Sequence, residues 1–148
     1  MSPHFPLQPL LDLSRMRLDE AARKLGELIA GEQEASQRHS LLVQYREEYY
    51  SRFLEAAKSG IGPGEWNNYV NFLARIDAAI TPAAQSVTHS QQQTREGQQD
   101  WMGKQGRVKA FDTLADRHRS KLAGQEHRKE QQASDEHGAR NHGTSAEG

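Results

Sequence analysis

The sequence predicts an all-α protein, a long antiparallel two-helix coiled-coil hairpin, and three observations carry that reading. Leu11, Leu18 and Leu25 recur every seven residues, with Ala21, Leu28, Ala35, Leu42, Tyr49 and Ala56 at the matching offset. A second run of Trp66, Leu73, Ile80, Val87, Thr94, Trp101, Val108, Ala115 and Leu122 keeps the same spacing, with Tyr69, Ile76, Ala83 and Phe111 beside it. Between the runs lies the dense glycine and proline break of Gly60, Gly62, Pro63 and Gly64. A heptad repeat keeps one seam of a helix facing a partner. Two such helices joined by a segment that cannot continue a helix fold back on each other.

Taken in order, residues 1–9 hold Pro3, Pro6 and Pro9 and read as a flexible lead. Helix 1 is expected over about 10–58. Its seam continues through Glu32, His39 and Arg46 before returning to Phe53, so its middle is wet, and Gly26 and Gly31 weaken it further, each by roughly 1 kcal/mol relative to Ala. The turn falls at 59–64. Helix 2 is expected over about 65–123 and carries the cleaner repeat, although Pro82 interrupts it and Gly97, Gly103 and Gly106 thin it. The heptad phase passes through Pro82 unchanged, which predicts a kink there and not a break. At 1.5 Å per residue the helices would measure roughly 70 Å and 85 Å. Residues 124–148 contain no Leu, Ile, Val or aromatic residue. They cannot bury enough surface to offset ordering, so helix should fade by about residue 133.

Composition narrows the function classes. The 148 residues are 34% hydrophobic and 26% charged with a mean hydropathy of -0.93, which argues for a thin core. Nineteen Lys and Arg against twenty Asp and Glu leave a net charge of -1. No excess of positive charge points to nucleic acid or an anionic membrane. The absence of cysteine removes disulfides and thiolate metal sites and is compatible with a reducing compartment. The start of the chain lacks a basic segment and breaks its apolar residues with prolines and Asp12, so it does not read as a signal peptide. No run is long enough to span a bilayer.

No catalytic constellation emerges. The segment Ser59 to Trp66 is glycine-rich, yet it lacks the Lys-Ser/Thr pair of a phosphate loop and follows a helix instead of a strand. The seven histidines show no helical zinc-ligand spacing. The pairs Glu47 with Glu48 and Asp112 with Asp116 could serve acid/base chemistry only inside a water-excluding pocket, which two helices do not offer. No enzyme activity, cofactor or metal is expected.

Two surface features exceed what a bare hairpin needs. Folding the chain about residue 62 sets Tyr45 opposite Ala79 and Phe72 opposite Arg52, beside the seam. With Leu42, Tyr49 and Ile76 they widen the apolar stripe near the turn, and Val43, Tyr50 and Val70 do the same on the other flank. At the opposite end, residues 101–122 carry Lys104, Arg107, Lys109, Arg117, Arg119 and Lys121 against Asp112 and Asp116. A basic end suits an acidic collar. From the residues alone, a generic coiled-coil tether, a self-associating structural protein and a membrane-surface helix remain the competing readings.

The segments LDEAARKLGEL, YREEYYSRFL and WNNYVNFL, followed by Trp101, Lys104, Arg107 to Phe111, Leu114 and Asp116-Arg117, resemble the flagellar export protein family FliJ over about residues 10–120. The resemblance implies a hairpin similar to the central stalk subunit of rotary ATPases, without enzymatic activity of its own. It implies three partners: the hexameric flagellar export ATPase, the cytoplasmic part of the export gate's large membrane subunit, and chaperones of filament-type export cargo. It also implies a location at the cytoplasmic face of the inner membrane beneath the flagellar basal body, with membrane association only through those proteins and no binding of nucleic acid. The family's gate-docking surface maps onto Leu42, Tyr45, Tyr49, Phe72, Ile76 and Ala79, with Arg38 and Ala83 departing from the expected polar residues. The ring-binding end maps onto Leu11, Leu18, Leu25, Trp101, Lys104, Arg107, Phe111, Leu114 and Arg117. Pro82 and the glycines of helix 2 depart from a smooth family helix.

Overall fold

The computed structural model describes residues 4–146, with side chains described for residues 4–139; residues 1–3 and 147–148, the outer ends of the expected lead and tail, lie outside the described residues. It is an all-α hairpin of two helices, α1 (Gln8–Ser59) and α2 (Pro63–Ala146). α1 begins two residues ahead of the expected start. Pro9 is tolerated because its missing N–H falls in the first turn, where backbone donors have no helical acceptor. The Leu11 amide closes that turn on the Leu7 carbonyl at 3.0 Å.

The turn is tighter than the six residues expected. Gly60 takes φ +86°, the left-handed conformation that ends a helix, and its amide reaches the Ala57 carbonyl at 3.2 Å. Pro63 is the first residue of α2, and the Trp66 amide bonds the Gly62 carbonyl at 3.0 Å. Three residues therefore reverse the chain.

α2 is assigned as continuous helix through Pro82. Pro82 itself is exposed, so its ring and its missing donor face water instead of the partner helix. α2 also outruns the expected boundary near residue 123. Residues 123–139 are exposed throughout, so burial cannot be what holds them helical. Their Gln, Glu, Lys, Arg and Ala content supplies the intrinsic propensity that an argument from burial alone overlooks.

Two compact units divide the chain, residues 19–102 and residues 1–18 with 103–148. In the first, α1 and α2 run antiparallel: Leu28 meets Thr94, Leu25 meets Gly97, Arg46 meets Asp77 and Tyr49 meets Phe72. These pairs centre near residue 61, within a residue of the expected fold point. The second unit has a small core of Leu11, Val108 and Ala115, with Phe5, Leu18 and Phe111 packed against it. Nearly every seam position of both heptad runs is buried or half-buried. Trp66 is the exception, about half exposed and resting edge-on against Phe53 at 4.8 Å.

Candidate docking surface

Near the turn the two helices exchange an aromatic ladder. Phe53 on α1 touches Trp66 at 4.8 Å and Tyr69 at 5.4 Å between ring centroids, and Tyr49 touches Tyr69 at 5.1 Å and Phe72 at 4.2 Å. Tilted and edge-on contacts at these separations are the favourable arrangements for rings. They lock the seam side chains while leaving the flanking ones outside it.

Leu42, Tyr45, Glu48, Tyr49, Arg52, Phe72 and Ile76 line one shallow groove of about 480 Å³. Five of the six residues expected at this surface are thus brought together, and the sixth, Ala79, is half-buried one turn beyond Ile76. The dual role of the seam residues resolves by depth. Ile76 is only 8% exposed and forms the floor, Leu42 and Tyr49 are half-buried walls, and Tyr45 and Phe72 stand 54% and 44% exposed at the rim. Sequence reasoning missed Glu48 as part of this surface. Its position three residues after Tyr45 and four before Arg52 puts it on the same helical face. Glu48 accepts a hydrogen bond from Gln44 Nε2 at 3.2 Å. The groove therefore has an apolar floor, two exposed rings and a mixed-charge border.

On the opposite flank, Tyr50 and Val70 are exposed and Val43 is half-buried. There Arg46 pairs across the helices with Asp77 and lies 6.0 Å from the Tyr50 ring centre. The hydrogen bond that Arg46 donates to the Asp77 carboxylate, then the charge of that carboxylate, holds the Arg46 guanidinium above the ordinary arginine value. The cation is present at every pH below that range and is lost only above it, so this polar seam position stays charged under physiological conditions.

At the other end, the residues assigned by resemblance separate into two groups. Leu11 is 2% exposed, and Leu18 and Phe111 pack with it in the unit's core. Leu11 holds the helices together from within the core, while Leu18 and Phe111 are only partly buried against it. Arg107, Leu114 and Arg117 are exposed, and Lys104 is half-buried. Leu25 and Trp101 belong to the other unit, both half-buried. Among the described residues no helix is long and apolar enough to cross a membrane, and no group of three or more His, Asp or Glu could hold a metal ion.

Comparison with known proteins bears on this geometry. The family model described as the flagellar FliJ protein matches residues 3–147. The chain is 32% identical over 136 residues to the flagellar FliJ protein of Salmonella typhi, and 31% identical over 136 residues to that of Escherichia coli strain K12. Each match covers 92% of both chains.

Proposed function

Since the chain belongs to the flagellar FliJ family, a component of flagellar protein export, we propose that it is a non-enzymatic stalk and adaptor between the export ATPase and the export gate. In this reading its open end, away from the turn, sits in the hexameric ATPase ring and promotes ring assembly and hydrolysis. Its turn end meets the cytoplasmic part of the gate's large membrane subunit, at the cytoplasmic face of the inner membrane. The same protein escorts unloaded chaperones of filament-type cargo.

The observation that carries the reading is the groove at Leu42, Tyr45, Tyr49, Phe72 and Ile76. A hairpin needing only its own stability has no use for two exposed aromatic rings above a buried aliphatic floor. Rings over a packed floor are the anchor chemistry of protein interfaces.

A steady-state assay of the cognate export ATPase, with and without the protein, tests one half of the proposal. The expected result is stimulated hydrolysis together with a larger ATPase assembly on size exclusion. No change in either, with the protein folded by circular dichroism, would replace the stalk with a generic coiled-coil tether. For the other half, Tyr45→Ala with Phe72→Ala should abolish binding to the gate's cytoplasmic part and leave helix content intact.

A further inference from the structure

Opposite charges four residues apart on a helix pair readily when the acid comes first. The chain makes such neighbour pairs elsewhere: Glu34 with Arg38 at 3.4 Å and, at a spacing of three, Glu55 with Lys58 at 3.8 Å and Asp116 with Arg119 at 2.6 Å. Glu48 and Arg52 have the favourable order and spacing, and both line the groove near the turn. They do not pair. The Gln44 amide donates to Glu48 Oε1 at 3.2 Å instead. The other acidic neighbour of Arg52, Glu55, is engaged by Lys58. Among the described residues the exposed Arg52 guanidinium has no ion pair and no ring contact.

The two border charges therefore enter a complex in different states. Covering the groove takes both from water. Glu48 keeps a donor supplied by its own helix, whereas Arg52 carries five N–H donors and brings no acceptor with it. A guanidinium covered without an acceptor costs binding. The group that fits it is a carboxylate, which its planar fork holds through two parallel hydrogen bonds. Arg52 lies one helical turn, about 6 Å, beyond Glu48 toward the turn. The buried floor at Ile76 and the exposed rings of Tyr45 and Phe72 lie beside these charges in the same groove.

We infer that Arg52 selects the occupant of the groove by charge: the docking segment carries an apolar anchor over Ile76 and an Asp or Glu against the Arg52 guanidinium. Gln44 keeps that guanidinium open by holding Glu48. This rests on the reading of the groove as the contact with the gate's cytoplasmic part, and it adds which chemistry on the gate is recognised. Arg52 is a specificity-determining residue, and Gln44, outside the groove lining, is a positioning residue.

The test measures binding of the full chain to the cytoplasmic part of the gate's large membrane subunit by isothermal titration calorimetry, at low and moderate salt. Circular dichroism reports helix content for every variant. Arg52→Gln should weaken binding by about tenfold and Arg52→Glu by more. Arg52→Lys, which keeps the charge without the fork, should fall between the wild type and Arg52→Gln. Wild-type binding should weaken as salt rises, and Arg52→Gln should lose most of that dependence. Gln44→Ala frees Glu48 to compete for Arg52 and should weaken binding by about twofold, the strength of such a helical pair. Adding Glu48→Gln to Gln44→Ala should restore binding, a rescue that a merely structural role for Gln44 would not give. Arg23→Gln, at an exposed position far along α1, controls for net charge and should match the wild type.

Unchanged binding by Arg52→Gln and Arg52→Glu, while Tyr45→Ala with Phe72→Ala abolishes it, would overturn the inference and leave the groove reading intact. Tighter binding by Arg52→Glu would assign a basic occupant and overturn it as well. Unchanged binding by Gln44→Ala would overturn the positioning role. Failure of the wild type to bind, or full binding by the Tyr45 and Phe72 variant pair, would overturn the groove reading and the inference with it.

Discussion

Tyr45 and Tyr49 are four residues apart on one helix and do different work. Tyr49 contacts the rings of Tyr69 and Phe72, whereas Tyr45 is 54% exposed. Tyr49→Ala should therefore cost about 2 kcal/mol in denaturant unfolding, below the full cost of a buried ring because the side chain is half-buried. Tyr45→Ala should stay within about 0.5 kcal/mol of the wild type. A Tyr45→Ala loss as large as that of Tyr49→Ala would make the rim structural. The glycines divide in the same way. A Cβ at Gly97 would stand 2.7 Å from Leu28 Cδ1, while one at Gly26 or Gly103 meets nothing within 4 Å. Gly26→Ala and Gly103→Ala should each raise stability by up to about 1 kcal/mol from helix propensity. Gly97→Ala should forfeit most of that gain, because Leu28 must leave its rotamer where the helices approach closely enough for the Thr94 hydroxyl to reach the Leu28 carbonyl. Thermal unfolding of the three variants separates these outcomes.

Among the elements, α2 holds the internal proline, through which the helix continues as expected, and the polar end that outruns the expected boundary. A proline within a helix removes a donor and crowds the preceding turn, at about 3 kcal/mol relative to Ala. Pro82→Ala should accordingly raise the unfolding midpoint and the helical ellipticity, by as much as about 3 kcal/mol of stability. A neutral result would mean that a local bend already relieves the clash. The polar end of α2 leads to the opposite expectation. Residues 123–139 bury nothing, and a helix without packing is marginal in water. Removing residues 124–148 should thus lower total ellipticity in proportion to the helix lost and leave the melting temperature of the remainder unchanged. A lowered melting temperature would reveal a packing role for the tail.

The chain as a whole is thinly stabilised by itself. Among the described residues its buried hydrophobic side chains are Leu11, Ala21, Ile76, Ala83, Val108 and Ala115, three of them alanine, and none of the large side chains is completely buried. Glu32, His39 and Arg46 take up seam positions that apolar residues fill elsewhere. A protein built this way gains stability from what it binds. Addition of the export ATPase at about one hundred times its dissociation constant should stabilise the chain by about 2.7 kcal/mol, read as slower amide exchange. Unchanged exchange at saturating ATPase would argue against the stalk assignment.

Much of this molecule was legible before any coordinate. Nearly every position that the seven-residue spacing named is buried or half-buried, because a heptad admits only one face to a partner helix, and the glycine-proline break located the reversal to within a residue or two. The surplus apolar flank at Tyr45 and Phe72 followed from the same geometry. Tertiary structure alone decided what each flanking residue is free to do. Glu48 joins the groove because of its neighbours in space. Leu11 is withdrawn into a core and Phe111 is partly buried against it, while Leu10 and Leu114, one and three places along, remain in water. Arg15 and Arg119 are neutralised, and Arg17 and Arg107 are not. Periodicity reports which face of a helix turns inward, a property of the single chain. The depth of burial and the pairing of charges depend on the side chains the other helix brings across, and those become known only when the two helices are together.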